Sequence, residues 1–134
     1  MMLKLEIVTP EKRVLDADVD SVTIPTTSGE AGILPNHAPL ISALKPGILT
    51  YTAKGATDRL AITGGFVEVN ADKVAVLADS AEAPDEINAE VARSDREAAE
   101  KELSAAATAP VEQTDAIRER IESANAKLQL IAAK

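Results

Sequence analysis

Phe66-Val67-Glu68-Val69-Asn70-Ala71-Asp72-Lys73-Val74-Ala75-Val76-Leu77-Ala78 reads as two short strands joined by a turn at Asn70-Ala71-Asp72. Valine-rich runs fit a pleated surface, and Asn and Asp suit tight hairpins. The same grammar extends upstream. Leu3, Leu5 and Ile7 alternate with Lys4 and Glu6, the period of a half-buried strand. Val22-Thr23-Ile24 continues the theme, and Pro25 is expected to stop that strand. The runs from Ile48 to Ala53 and from Arg59 to Thr63 are further strands, and Gly64-Gly65 predicts a bulge or a close backbone approach. Many short strands spaced by turn signals predict an antiparallel sandwich or barrel.

Downstream the grammar changes. No glycine follows Gly65, and from Asp85 onward alanine supplies about a quarter of the residues with Pro110 the sole proline. Ile117, Ile121, Ala124, Leu128 and Ile131 step by four and three, one stripe of a helix. Ile87, Val91 and Ala98 form a weaker stripe ending near Leu103, and the turn between the two helices falls within Ala105 to Pro110. The expected class is α+β: an antiparallel β-sandwich over residues 1–84, then an antiparallel helical hairpin over 85–134. Stripes this narrow and Ala-rich build no core of their own, so the hairpin is expected to fold by docking and to be movable.

Composition excludes several functions. The net charge is −8, with seven basic and eleven acidic residues in each of the two regions, so no phosphate backbone is attracted and no nucleic-acid partner is expected. Tyr51 and Phe66 are the only aromatics, which disfavours base stacking, and with no cysteine there is no disulfide, thiolate metal site or thiol nucleophile. No apolar run approaches the roughly 20 residues of a membrane helix. The opening Met1-Met2-Leu3-Lys4 alternates at once without a signal-peptide pattern, so a cytoplasmic protein is expected, reaching a membrane only through partners.

Chemistry is equally sparse. There is no G-x-S-x-G, and His37 is the sole histidine, so it completes neither a triad nor a zinc site; a loop-stabilising hydrogen bond or a partner contact suits it better. Ser28-Gly29-Glu30-Ala31-Gly32 lacks the Lys-Ser/Thr ending of a phosphate loop and reads as a tight turn. Asp16 and Asp18 lie in a polar stretch with nothing to bury them. No catalytic residue, metal ligand or cofactor site is indicated.

Several segments, in order, resemble the epsilon subunit of bacterial-type F-type ATP synthases. They are Leu5-Glu6-Ile7-Val8-Thr9-Pro10-Glu11, the stretch from Gly29 to Leu40 (GEAGILPNHAPL), Lys45-Pro46-Gly47, Gly64-Gly65-Phe66-Val67-Glu68-Val69 and Val74 to Ala81. The resemblance implies a non-catalytic rotor subunit: a ten-stranded sandwich gripping the gamma subunit and seated on the c-ring, together forming the central stalk. It places the turn of Ser28, Gly29, Glu30, Ala31 and Gly32 at the end facing the c-ring, with the loop around His37 close to the same foot. It also implies that the hairpin either folds against the sandwich or extends along gamma to block ATP hydrolysis. Arg118, Arg120 and Lys127 then meet an acidic segment of a beta subunit.

One departure matters. Relatives that bind ATP carry Ile/Leu-Asp-x-x-Arg-Ala at the first helix, where this chain has Ile87-Asn88-Ala89-Glu90-Val91-Ala92. The missing guanidinium removes the obvious cation for phosphate, which puts ATP binding in doubt. A competing reading remains open from the residues alone, a free-standing sandwich adaptor whose hairpin recruits a partner protein.

Overall fold

The computed structural model describes residues 2–132. Its strands are β1 (Leu3–Val8), β2 (Arg13–Val19), β3 (Ser21–Thr26), β4 (Gly29–Ile33), β5 (Leu40–Ala43), β6 (Gly47–Ala53), β7 (Ala56–Asn70) and β8 (Lys73–Glu82). A 3-10 turn at Pro84–Glu86 leads to α1 (Ala89–Ala105) and α2 (Val111–Ala132). The hydrogen-bonded order is β2-β1-β8-β7-β6-β3-β4, with β5 on β7.

The pairing explains how one chain of strands makes two layers. The first part of β7, Ala56–Ile62, pairs with β6, while Phe66–Val69 pairs with β5. β8 follows β7 along its length but meets β1 only from Lys73 to Leu77. Layer A therefore consists of β2, β1, the start of β8, the end of β7 and β5. Layer B consists of β4, β3, β6, the start of β7 and the end of β8. The expected ten strands are eight continuous ones, two of which serve both layers.

The crossing point is Gly64-Gly65. Gly65 has φ +105°, and a Cβ there would run into the Leu77 carbonyl oxygen and lie 2.8 Å from Ala78 Cα. Only glycine lets β7 bend so close to β8. The β7–β8 turn falls at Ala71-Asp72, with Asn70 paired to Lys73 and Ala71 at φ +55°.

Pro25 does not stop β3 as expected. It sits within the strand, paired with Glu30 of β4. The ladder from β3 to β6 ends at Thr23, so the missing N–H faces a side that asks for no donor, while the Pro25 carbonyl accepts from Lys45 N at 3.1 Å.

Between the layers lies an aliphatic core. Leu3, Leu5, Ile7, Val67, Val69, Val74 and Val76 of layer A meet Val22, Ile24, Ile33, Leu49, Leu60 and Ile62 of layer B, all buried. Alternation in β1 puts Lys4 outside, as the spacing required.

α2 lies on β6 and β7, and α1 lies on α2. The first helix turns a different face inward from the one its larger side chains suggested: Ala92 and Ala99 are buried, whereas Val91 is 55% exposed, Ala98 is exposed and Ile87 precedes the helix. In α2 the buried residues are Thr114, Ala124, Ala126 and Leu130, with Ile117, Ile121, Leu128 and Ile131 half-buried. A helix held between a second helix and a sheet buries two faces, and alanines permit the closest approach on each. Ala61, outside the main core yet 1% exposed, is covered on the outer side of layer B. Asn88 caps α1, its Oδ1 accepting from Glu90 N and Val91 N at 3.0 and 3.1 Å.

Candidate functional site

The two outer faces of the sandwich are treated differently. The hairpin covers layer B, and no described helix lies on layer A. There the strand register aligns Val8 of β1, Leu77 of β8, Phe66 of β7 and Ala43 of β5 in one row, followed by a row of Glu6, Ala75, Glu68 and Ile41. Ile41 is 74% exposed, Phe66 59% and Leu77 56%. An apolar row across four strands, edged by carboxylates, is the composition of a protein-binding face. The sequence reading passed over these residues, although Val74-Ala75-Val76-Leu77-Ala78 is apolar at both parities, the mark of a strand covered on both faces.

The Ser28–Gly32 segment forms the β3–β4 hairpin. Thr26 pairs with Gly29 across Thr27-Ser28, and Thr26 Oγ1 donates to the Gly29 carbonyl at 2.6 Å while accepting from Ser28 N at 3.2 Å. Gly29 takes φ +118°, Glu30 and Gly32 are exposed, and Ala31 is half-buried against the core. Glu30 also lines a cleft with Lys45 and with Glu122, Asn125 and Gln129 of α2.

His37 does not join that turn. Thr27 N donates to the Ala43 carbonyl at the end of β5, whereas Asn36 N donates to Asp72 Oδ1 in the β7–β8 turn, beside the start of β5. The two therefore lie at opposite ends of β4, separated by its five residues or roughly 15 Å. His37 makes the local bond expected of it: Nδ1 donates to the Ala38 carbonyl at 2.6 Å.

All three singled-out cations of the hairpin are occupied. Arg118 donates to Thr114 Oγ1 and approaches Asp115 at 3.8 Å, both within α2. Arg120 pairs with Glu102 and so ties α2 to α1. Lys127 pairs at 2.8 Å with Glu82 of β8 and ties α2 to the sandwich. Arg120 and Lys127 line one groove between the helices; Arg118 lies outside it.

Ile87, Asn88, Val91 and Ala92, four of the six residues that align with the ATP motif, line a groove of about 200 Å³ with Glu82, Glu86, Asp95 and Lys127. That volume falls below the roughly 300–1,000 Å³ of ordinary ligand pockets. Its charges, three carboxylates to one ammonium, are the wrong balance for a polyphosphate. Among the described residues no cluster of His, Cys, Asp or Glu has metal-ligand geometry, and no helix is long and apolar enough to cross a membrane.

Residues 2–84 match the family model for the ATP synthase delta/epsilon chain β-sandwich domain. Over 101 residues the chain is 50% identical to the ATP synthase epsilon chain of Carboxydothermus hydrogenoformans, covering 75% of each protein. It is 46% identical over 99 residues to that of Desulfitobacterium hafniense strain Y51, covering 74% of this chain and 75% of the relative. It also superposes on a chain of the Euglena gracilis mitochondrial ATP synthase, from the OSCP/F1/c-ring structure in rotational state 1. There the TM-score is 0.72 at 28% identity, covering 98% of this chain and 80% of that one. The chain belongs to the bacterial-type F-type ATP synthase epsilon family and is a component of that complex.

Proposed function

We propose that this chain is a non-catalytic subunit of the central stalk, coupling a c-ring to a gamma subunit at the cytoplasmic face of the cell membrane. The observation that carries the reading is the uncovered apolar face of layer A at Phe66, Leu77 and Ile41, opposite the face that the hairpin occupies. Gamma is assigned to that face. The superposition on a chain of an F1/c-ring assembly supports association with the rotor complex.

The β3–β4 turn of Ser28, Gly29, Glu30, Ala31 and Gly32 is assigned to the c-ring, where an exposed carboxylate suits polar or basic loops. His37, at the other end of β4, falls outside this contact. The hairpin restrains ATP hydrolysis when it leaves the sandwich and reaches the head. For that, Arg120 and Lys127 exchange Glu102 and Glu82 for carboxylates of a beta subunit, and Arg118 joins them.

ATP hydrolysis by the assembled complex tests the regulatory half, comparing the full chain with one ending at Ala83. Faster hydrolysis on truncation is expected. An unchanged rate in an intact, coupled complex would reduce the hairpin to a passive clasp.

A further inference from the structure

Besides the apolar packing, three polar side-chain contacts hold the hairpin together or down, and they divide unequally. Arg96 Nη1 donates to Asn125 Oδ1 at 3.3 Å and Arg120 pairs with Glu102, both between α1 and α2. Lys127–Glu82 is the one ion pair among the described residues that joins either helix to a strand. Its side chains are 23% and 31% exposed, and no other pair has both partners so covered. Glu82 is the last residue of β8, immediately before the Ala83-Pro84 link to the helices. Any departure of the hairpin must break this pair.

The surroundings make Lys127 more than half of a pair. Glu82 from β8, Glu86 from the 3-10 turn and Asp95 from α1 line one groove with it; Glu82 is in direct contact, whereas Glu86 accepts from Ala83 N at 2.9 Å, so three elements bring carboxylates to the groove that holds this one ammonium. The other cations nearby are committed elsewhere: Lys12 approaches Glu86 from the outside at 3.8 Å, and Arg120, which lines the adjoining groove with Asp95, pairs with Glu102. Without Lys127, docking would press carboxylates of strand, linker and helix together with no cation inside the groove. Like charges at close range disfavour one another, and more so where water is partly excluded.

We infer that Lys127 is the charge hub of the docked state: the hairpin is held down by its own lysine neutralising three carboxylates, with no bound ligand required. This rests on reading the hairpin as a movable arm, which hydrolysis by the truncated complex tests separately. A hub differs from a simple salt bridge in one measurable respect, because removing the cation leaves repulsion whereas removing one anion relieves it.

Amide hydrogen exchange along α2 of the full chain reads the difference, with exchange in β1 as the check that the sandwich stays folded. Lys127→Gln is expected to speed α2 exchange about tenfold and Glu82→Gln about threefold or less. Adding Glu82→Gln to Lys127→Gln is expected to recover part of the lost protection. Equal effects of the two single changes, additive loss in the double variant, or no change in any of them would overturn the hub.

Discussion

Gly65 shows how much one residue decides. Its φ of +105° and the closeness of the Leu77 carbonyl let β7 pass from one layer to the other. Gly65→Ala forces a Cβ into that backbone, and a loss of about 2–4 kcal/mol is expected, visible as a lower midpoint in denaturant unfolding. The double glycine was legible in the sequence as a close approach; what it permits, a strand shared by two layers, depends on partners far along the chain. Tyr51 supplies a second test. Burial first, then the negative charge of Asp58 and a hydrogen bond to it, holds the Tyr51 phenol above its ordinary value of 10.0. The unfolded chain then releases its proton at lower pH than the folded one. Stability is unaffected below pH 10 and falls as pH rises from 10 toward the folded value. Because Tyr51 is the sole tyrosine, tyrosinate absorbance follows it directly, and a midpoint above 10 is expected.

Among the elements, strands were easier to read than helical faces. Alternation in β1 and the valine runs of β7 and β8 matched their burial, since a period of two leaves each side chain one face or the other. Pro25 misled because a strand tolerates proline wherever its neighbour's ladder has ended, and that ending is set by β6 and not by β3. The helical stripes misled for another reason. Large side chains such as Val91 suggest a buried face, but two helices approach closest over alanine, and Ala92 and Ala99 carry the contact in α1. The same economy makes α2 docking sensitive to volume. Ala61 lies on the outer side of layer B, apart from the main core. Ala61→Leu overpacks that face by an expected 1–3 kcal/mol. Exchange should quicken in α2 while β1 keeps its protection; equal loss in both would mean that Ala61 belongs to the core after all.

The whole molecule is a sandwich with one face covered by its own helices and the other left apolar and bare. Its family was legible in the stretch from Gly29 to Leu40, but the bare face was not, because Ile41, Phe66 and Leu77 become neighbours only when β5, β7 and β8 align. Nor could the sequence show that Ser28 and His37 part company along β4, or that Lys127 pairs with Glu82 in a groove that Glu86 and Asp95 also line. On the proposed function, the bare face of layer A joins this chain to the rotor. That role is tested most directly by purifying the ATP synthase from membranes that carry the Phe66→Glu, Leu77→Glu double variant. Both residues are more than half exposed, so the isolated chain should keep its unfolding midpoint within about 0.5 kcal/mol of stability. A folded variant missing from the purified complex and a loss of coupled ATP synthesis are expected. A complex that retains the variant and synthesises ATP at the usual rate would contradict that role.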